Sequence, residues 1–491
     1  MFHALLTTTR LWKALLAVAL VSGAGVRLWL ALTDHGIYWP DEVFQSVEPA
    51  HRMAFGYSMV AWEFVVGARN VLLPGLIAVV LEGLALVHLD QPTLYVPLIR
   101  IGFALSSVVT VLGVFRLARA VGCSLPSAVL GATALSWMSL AIYFSPRAMS
   151  EVASALPVTW GLALLLETPS RRKLVLGASL LGLAVLLRIH CGLFAAGAVL
   201  TLLLQRRTRD AGLVFVVLCG WALVYGLLDL AAWGSFFHSA LLYLRFNLVE
   251  GRAAEWGTAP PVFYTKYLMR SLGAHWVMVS VLALIGLRRA TPVVVLAALF
   301  FLGHLALPHK ELRFIVPMLP LLCAAAAAGV EQVLAIRQTA GVVVLLALLV
   351  TSLVSGLTFH SLTMKQIGRH DDASAYDGGG SITRLLMAAS KQDDLCGLGL
   401  LVGGRGATFA YFALHRDVPF YEAPLPERAQ RFFNYVIADE GTEAGTVIAT
   451  DHGVALVRLD EGPCVKDSTF EPWLDERTRA LANSPQSLLR R

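Results

Sequence analysis

Residues 171–209 read RRKLVLGASLLGLAVLLRIHCGLFAAGAVLTLLLQRRTR, two apolar runs (174–190 and 191–205) set between two basic clusters. A membrane-crossing helix needs about 20 mostly apolar residues, and the loops left in the cytoplasm collect Lys and Arg. The stretch therefore reads as a pair of spans that leaves the cytoplasm and returns to it. The alternation extends both ways. Runs at 11–32, 95–118, 126–145 and 152–167 precede the pair, and runs at 211–232, 274–287, 291–308, 312–331 and 339–358 follow it. With Arg10 and Lys13 inside, Arg116/Arg119, Arg171/Arg172/Lys173, Arg206/Arg207/Arg209, Arg288/Arg289 and Arg337 all fall on the cytoplasmic side. Eleven spans result, and everything after the last lies outside.

Composition agrees. The chain has 491 residues, 57% hydrophobic and 15% charged, against about 45–50% and about 25% in soluble proteins. That apolar surplus has to face lipid, which excludes a cytosolic enzyme or a disordered scaffold. The net charge of +6 resides in the loop clusters, so no nucleic-acid partner is expected. The run 72–89 is also apolar, but counting it as a span would export Arg116, Arg119 and Arg171–Lys173. With Pro74, Glu82 and His88 inside it, it reads as a helix lying on the outer face.

Residues 1–359 thus form an α-helical polytopic membrane part with outer loops at 33–71 and 233–273, and 360–491 form a small outer soluble domain. In that domain LGLLVGG, YVIAD and VALVRL read as strands among helices, an α/β or α+β arrangement. Cys396 and Cys464 are its only cysteines, so either a disulfide or two free thiols is open. Cys123, Cys191, Cys219 and Cys323 lie in or beside spans as apolar packing.

The outer face collects both charge signs. It holds Asp41 and Glu42 in YWPDEVFQ, Trp62, Glu63 and Arg69 in AWEFVVGARN, Arg147 and Glu151 in SPRAMSE, and His309, Lys310, Glu311 and Arg313 in PHKELRF. Such one-sidedness indicates a site that opens outward. Pro40 should hold Trp39 extended and start a helical turn, which places the Asp41–Glu42 pair at a helix N-terminus. A carboxylate there can complement the helix dipole or act as a general base. Arg100 and Arg188 near span ends have either a partner or a snorkelling role. No phosphate-binding Gly-rich loop, HExxH or CxxC occurs, and no metal or cofactor is expected.

YWPDEVFQSVEPAHRMAFGYSMVAWEF, GARNVLLPGL, SPRAMSE and HKELRFIVPMLPLL together resemble one family. It is that of the polyprenyl-phosphate-mannose-dependent mannosyltransferases of N-glycan and GPI-anchor assembly (GT-C superfold, glycosyltransferase family twenty-two). The resemblance covers about residues 10–330; Trp39 stands where the family's first motif has His. It implies an inverting transferase that moves mannose from a lipid-linked donor to a hydroxyl of a lipid-linked glycan or glycolipid. By position it implies a catalytic pair, Asp41 as the general base and Glu42 as a neighbouring structural or acceptor-binding carboxylate. It implies His309, Lys310, Arg313 and Arg69 toward the donor phosphate, and Trp62, Glu63, Arg147 and Glu151 as shaping the site. The alternatives are a transferase of another lipid-linked sugar and a lipid-sugar transporter. The absence of an N-x-[ST] sequon (Asn483 precedes Ser-Pro) favours a bacterial plasma membrane, with the endoplasmic reticulum as alternative.

Overall fold

The computed structural model of the chain describes residues 8–370, 372–402, 410–423, 431–442, 445–460, 465 and 467–488. It divides into two compact units, Met1–Ala31 with Ile101–Ala373, and Leu32–Arg100 with Ser374–Arg491. This differs from a boundary at residue 360. The segment 32–100 packs with the C-terminal region, because its buried residues pair with partners more than 300 positions away rather than with neighbouring runs.

The first unit is helical, and each of the eleven apolar runs coincides with a helical segment. Among the described residues, five helices are long and apolar enough to cross a membrane: Thr9–Thr33, Pro92–Ala120, Thr208–Trp233, Leu312–Ile336 and Gln338–Leu357. The run 126–145 is broken into Leu125–Ser136 and Ser139–Phe144. Small residues bring helices together as they do in lipid, where apolar burial gives little drive and close backbone approach supplies the attraction. A Cβ on Gly161 would meet the Gly177 carbonyl oxygen at 3.0 Å, and one on Gly177 would meet that of Gly161 at 2.9 Å. Helices Ser150–Leu166 and Arg171–Leu187 therefore touch main chain to main chain.

The broken helix solves a second problem. Its end leaves carbonyls without the N–H four residues on. The fully buried Arg27 donates to the carbonyl oxygens of Ser136 (2.8 Å), Leu135 (3.4 Å) and Gly23 (3.0 Å), and to the Ser107 hydroxyl (3.1 Å). Main-chain dipoles thus solvate its charge, at a break that needs donors.

The second unit has a mixed five-stranded sheet made from β1 (Leu398–Leu400), β2 (Phe420–Glu422), β3 (Tyr435–Asp439), β4 (Gly445–Asp451) and β5 (Val454–Leu459). The order is β2-β1-β3-β5-β4, parallel among the first three and antiparallel among the last three. The expected strands in LGLLVGG, YVIAD and VALVRL are β1, β3 and β5, while β2 and β4 carried no comparable apolar signal. Strand β3 is buried on both faces except at Asp439. Helix Leu72–Ala85 also belongs here. It buries Leu73, Ile77 and Leu81 and leaves Leu76 and Val79 exposed, so its apolar surface is two-sided. Cys396 is disulfide-bonded, Cys123, Cys191, Cys219 and Cys323 are free, and Cys464 lies outside the described residues.

Candidate active site

In the second unit, Trp39 is buried and extended (φ −102°, ψ 106°) and Pro40 opens the helical turn Pro40–Glu42, as its fixed φ favours. The turn runs into a π-helix, Val43–Val47, and then helix Glu48–Phe55. A π-turn inserts a residue and re-aims the side chains on either side of it. Asp41 is part-exposed, whereas Glu42 is buried. Gln45 Nε2 donates to Asp41 Oδ1 (2.6 Å) and to Glu63 Oε1 (3.0 Å). Arg69 stands 3.7 Å from Glu63 Oε1. Burial pushes the Glu63 carboxyl above its ordinary value and Arg69 pulls it back. The geometry thus gathers Asp41, Glu63 and Arg69 through Gln45. Sequence reasoning missed Gln45, although its spacing of four from Asp41 placed both on one helix face. Trp62 is covered by the Arg477 guanidinium, 4.8 Å from its ring centre.

Two further acids and bases of this unit hold main chain. Glu48, fully buried, accepts the N–H groups of Met59 and Phe412, each at 2.6 Å. Burial drives its carboxyl up to about 8 in spite of those bonds. His51 sits 2.9 Å from both the Tyr57 carbonyl oxygen and His415 Nδ1, and burial lowers it to about 3.

In the first unit, Glu151 is the hub. One oxygen, Oε1, receives Arg188 and Arg313, each at 2.9 Å, while Ser150 donates to the other at 3.0 Å. Arg313 also bonds Glu311 Oε2 at 2.5 Å, and His309 lies 3.3 Å from Glu311 Oε1 and 3.0 Å from the Gly257 carbonyl oxygen. Burial opposes ionisation of Glu311, but Arg313 and His309 outweigh it and hold the carboxylate well below its usual range. Both guanidinium groups lie over the Phe314 ring, at 5.3 Å for Arg188 and 4.8 Å for Arg313. Arg188 therefore has a buried carboxylate partner and does not snorkel. Lys310 donates to the Leu307 carbonyl and, at 3.1 Å, to that of Ala259. Arg147, fully buried, lies 4.2 Å from the centre of the Tyr143 ring. The structure thus joins Glu151, His309 and Arg313, and adds Arg188 and Glu311 to them. Lys310 binds the chain around residue 259, and Arg147 lies over the Tyr143 ring.

Several known proteins resemble this chain. Residues 19–375 match the model of the Alg9-like mannosyltransferase family. A GPI mannosyltransferase 3 of Yarrowia lipolytica is 29% identical over 320 residues, 64% of this chain and 62% of that protein. The Dol-P-Man:Man(7)GlcNAc(2)-PP-Dol alpha-1,6-mannosyltransferase of Drosophila melanogaster is 35% identical over 162 residues, 31% of this chain and 23% of that one. The chain thus spans less than two thirds of these relatives' length. Among solved structures, ArnT from Cupriavidus metallidurans bound to undecaprenyl phosphate superposes with a TM-score of 0.60 at 15% identity, covering 92% of this chain and 98% of that one. The Archaeoglobus fulgidus oligosaccharyltransferase follows at 0.56 and 11%, over 88% of this chain and 69% of that one. These likenesses define the shared fold.

Proposed function

The chain belongs to the Alg9-like mannosyltransferase family, and we propose that it transfers mannose, with inversion, from a polyprenyl-phosphate-mannose to a hydroxyl of a lipid-linked glycan or glycolipid at the outer membrane face. The observation that carries this reading is Asp41, part-exposed at the start of a helix and held by Gln45.

In this reading the acceptor hydroxyl gives its proton to Asp41 as its oxygen attacks the anomeric carbon. The bond to the donor phosphate breaks, and the phosphodiester leaves as a monoester carrying the bond's electron pair. One displacement inverts the centre, and no covalent sugar–enzyme bond forms. Cations set where that charge grows stabilise the transition state more than the ground state. Arg313, His309, Lys310 and Arg69 are the assigned groups, with Arg188 added because it shares Glu151 with Arg313. Glu151 and Glu311 keep the buried guanidinium groups oriented, and Glu63, Trp62 and Arg147 shape the walls. Glu42, buried and next to Asp41 in the chain, is the neighbouring structural or acceptor-binding carboxylate.

The two named relatives come from eukaryotes, which supports the endoplasmic reticulum and lends nothing to a bacterial membrane. The test is transfer by protein in lipid vesicles given dolichyl-phosphate-mannose or GDP-mannose, each with a GPI-precursor and a dolichol-linked-glycan acceptor. Turnover from the lipid donor alone supports the reading and names the acceptor. Turnover with another lipid-linked sugar in its place would redirect it to a different transferase.

A further inference from the structure

The segment that delivers Asp41 has no regular structure of its own between Asp34 and Trp39. Its main-chain groups are bonded instead to a turn at the start of the C-terminal region. His35 N donates to Asp377 Oδ1 (3.2 Å), Ile37 N to the Gly378 carbonyl oxygen (3.1 Å), and Asp377 N to Asp34 Oδ1 (2.8 Å). Gly36 allows this approach, since a Cβ there would stand 2.7 Å from Gly378 N. Asp377 has φ +55°, a left-handed conformation that aspartate tolerates better than most residues, and its carboxylate is held in place. What holds it is Arg384, which donates to both Asp377 oxygens (2.7 and 2.9 Å) and, on its other edge, to Asp451 at the end of β4 (Nη2 to Oδ1, 3.2 Å). A planar guanidinium gripping two carboxylates fixes direction as well as distance.

We infer that Asp377, clamped by Arg384, is a positioning residue for the transfer reaction, setting the segment 34–37 and through it the Asp41 carboxylate four residues on. The inference rests on the mannosyl-transfer reading for its kinetic consequence only. Asp377 and Arg384 lie beyond residues 19–375, the stretch matched by the family. Among the described residues, their hydrogen bonds and ion pairs that involve a side chain go to Asp34, His35 and Asp451 and to each other, and to no acid or base assigned to the chemistry. Arg384→Gln releases Asp377, and His35 and Ile37 lose a fixed set of acceptors. A base displaced by about 1 Å can cost about 100-fold in rate.

The experiment uses the full chain in nanodiscs, with Arg384→Gln beside Arg458→Gln. The latter breaks a different ion pair of the same sheet, Arg458 with Asp394. Hydrogen exchange of the 34–41 peptide is read first and needs no substrate. Faster exchange in Arg384→Gln but not in Arg458→Gln is expected, and equal exchange in both overturns the clamp. In turnover, kcat falls about tenfold or more with KM within about twofold, the pattern of a lost transition-state alignment. The same substitution on an Asp41→Asn background should then cost almost nothing further, because residues acting through one group are not additive. A full additional loss on that background reduces Arg384 to general support and overturns the proposal. If the wild type fails to use a mannosyl donor, the donor reading fails while the exchange arm still decides the clamp.

Discussion

The carboxylates of Asp41 and Glu63, which lie 22 positions apart in sequence, are bridged by a single amide nitrogen, that of Gln45, at 2.6 and 3.0 Å. A donor shared between two acids keeps an oxygen of each in a fixed place, which a free aspartate at a helix start would lack.

Asp41→Asn is expected to lose about 100- to 10,000-fold in kcat, the range of a general base, with its melting temperature close to wild type. Gln45→Ala, which leaves the acid but removes the bridge, should cost far less, on the order of tenfold. Steady-state transfer assays rank the two. If Asp41→Asn turns over normally, the base lies elsewhere and Glu42 is the first place to look.

How much of this was legible beforehand divides along physical lines. The apolar runs and Pro40 act locally, through periodicity and a fixed φ, and the helices and the extended Trp39 followed from them. Contacts between distant residues leave no such trace. Glu48 reads as one more acid after a helix turn, and nothing near it announces Phe412 as its partner. The same holds for His51 and His415, and for the whole association of 32–100 with 374–491. In the HKELRF run the clustering of charges was a sound signal, yet the ion pair of Arg313 with Glu151 needed the helices to be folded first.

Glu151→Gln should be strongly destabilising. It leaves Arg188 and Arg313 buried without the carboxylate that balances them, and breaking a buried pair from one side costs about 3–5 kcal/mol. Arg116→Gln, which cuts a partly exposed bridge to Glu167, should cost about 1 kcal/mol or less. Thermal unfolding in detergent distinguishes them, and equal losses would mean that the Glu151 hub is wetter than its burial indicates.

Glu48 predicts a pH slope. Its carboxyl is raised to about 8 in the fold, above its value in the unfolded chain. Between about 4.3 and that value the folded protein holds a proton that the unfolded chain has released. The stability the group contributes is whole below that window and is lost as pH rises through it. Melting temperatures followed from pH 5 to 8.5 should fall more steeply for the wild type than for Glu48→Gln. Parallel curves would show that Glu48 stays ionised on its two N–H donors.

Cys396 should resist a thiol-blocking reagent in the denatured, unreduced protein and take it up only after reduction. Peptide mass mapping reads this directly, and label found on Cys396 without reductant would rule out its bridge.

The eleven-span map is open to impermeant thiol labelling of single cysteines placed at Ser170 and Asp372, in sealed vesicles. The parity of spans puts the first inside and the second outside, and labelling of both from one side would break the map.

Arg27 has a consequence for how the chain is made. Its acceptor at Ser136 is synthesised 109 residues after it, a wait of about 5–20 s at ordinary translation rates of about 5–20 residues per second. Through that interval the segment carries a guanidinium with only the Gly23 carbonyl, four residues back, in place from the start, while its partners at Ser107, Leu135 and Ser136 are not yet all made, so it rests in the lipid core only partly solvated. Nascent chains stopped short of residue 135 should therefore integrate poorly, and Arg27→Leu should cure them. The ribosome, in effect, delivers this protein's first membrane segment before its destination has been built.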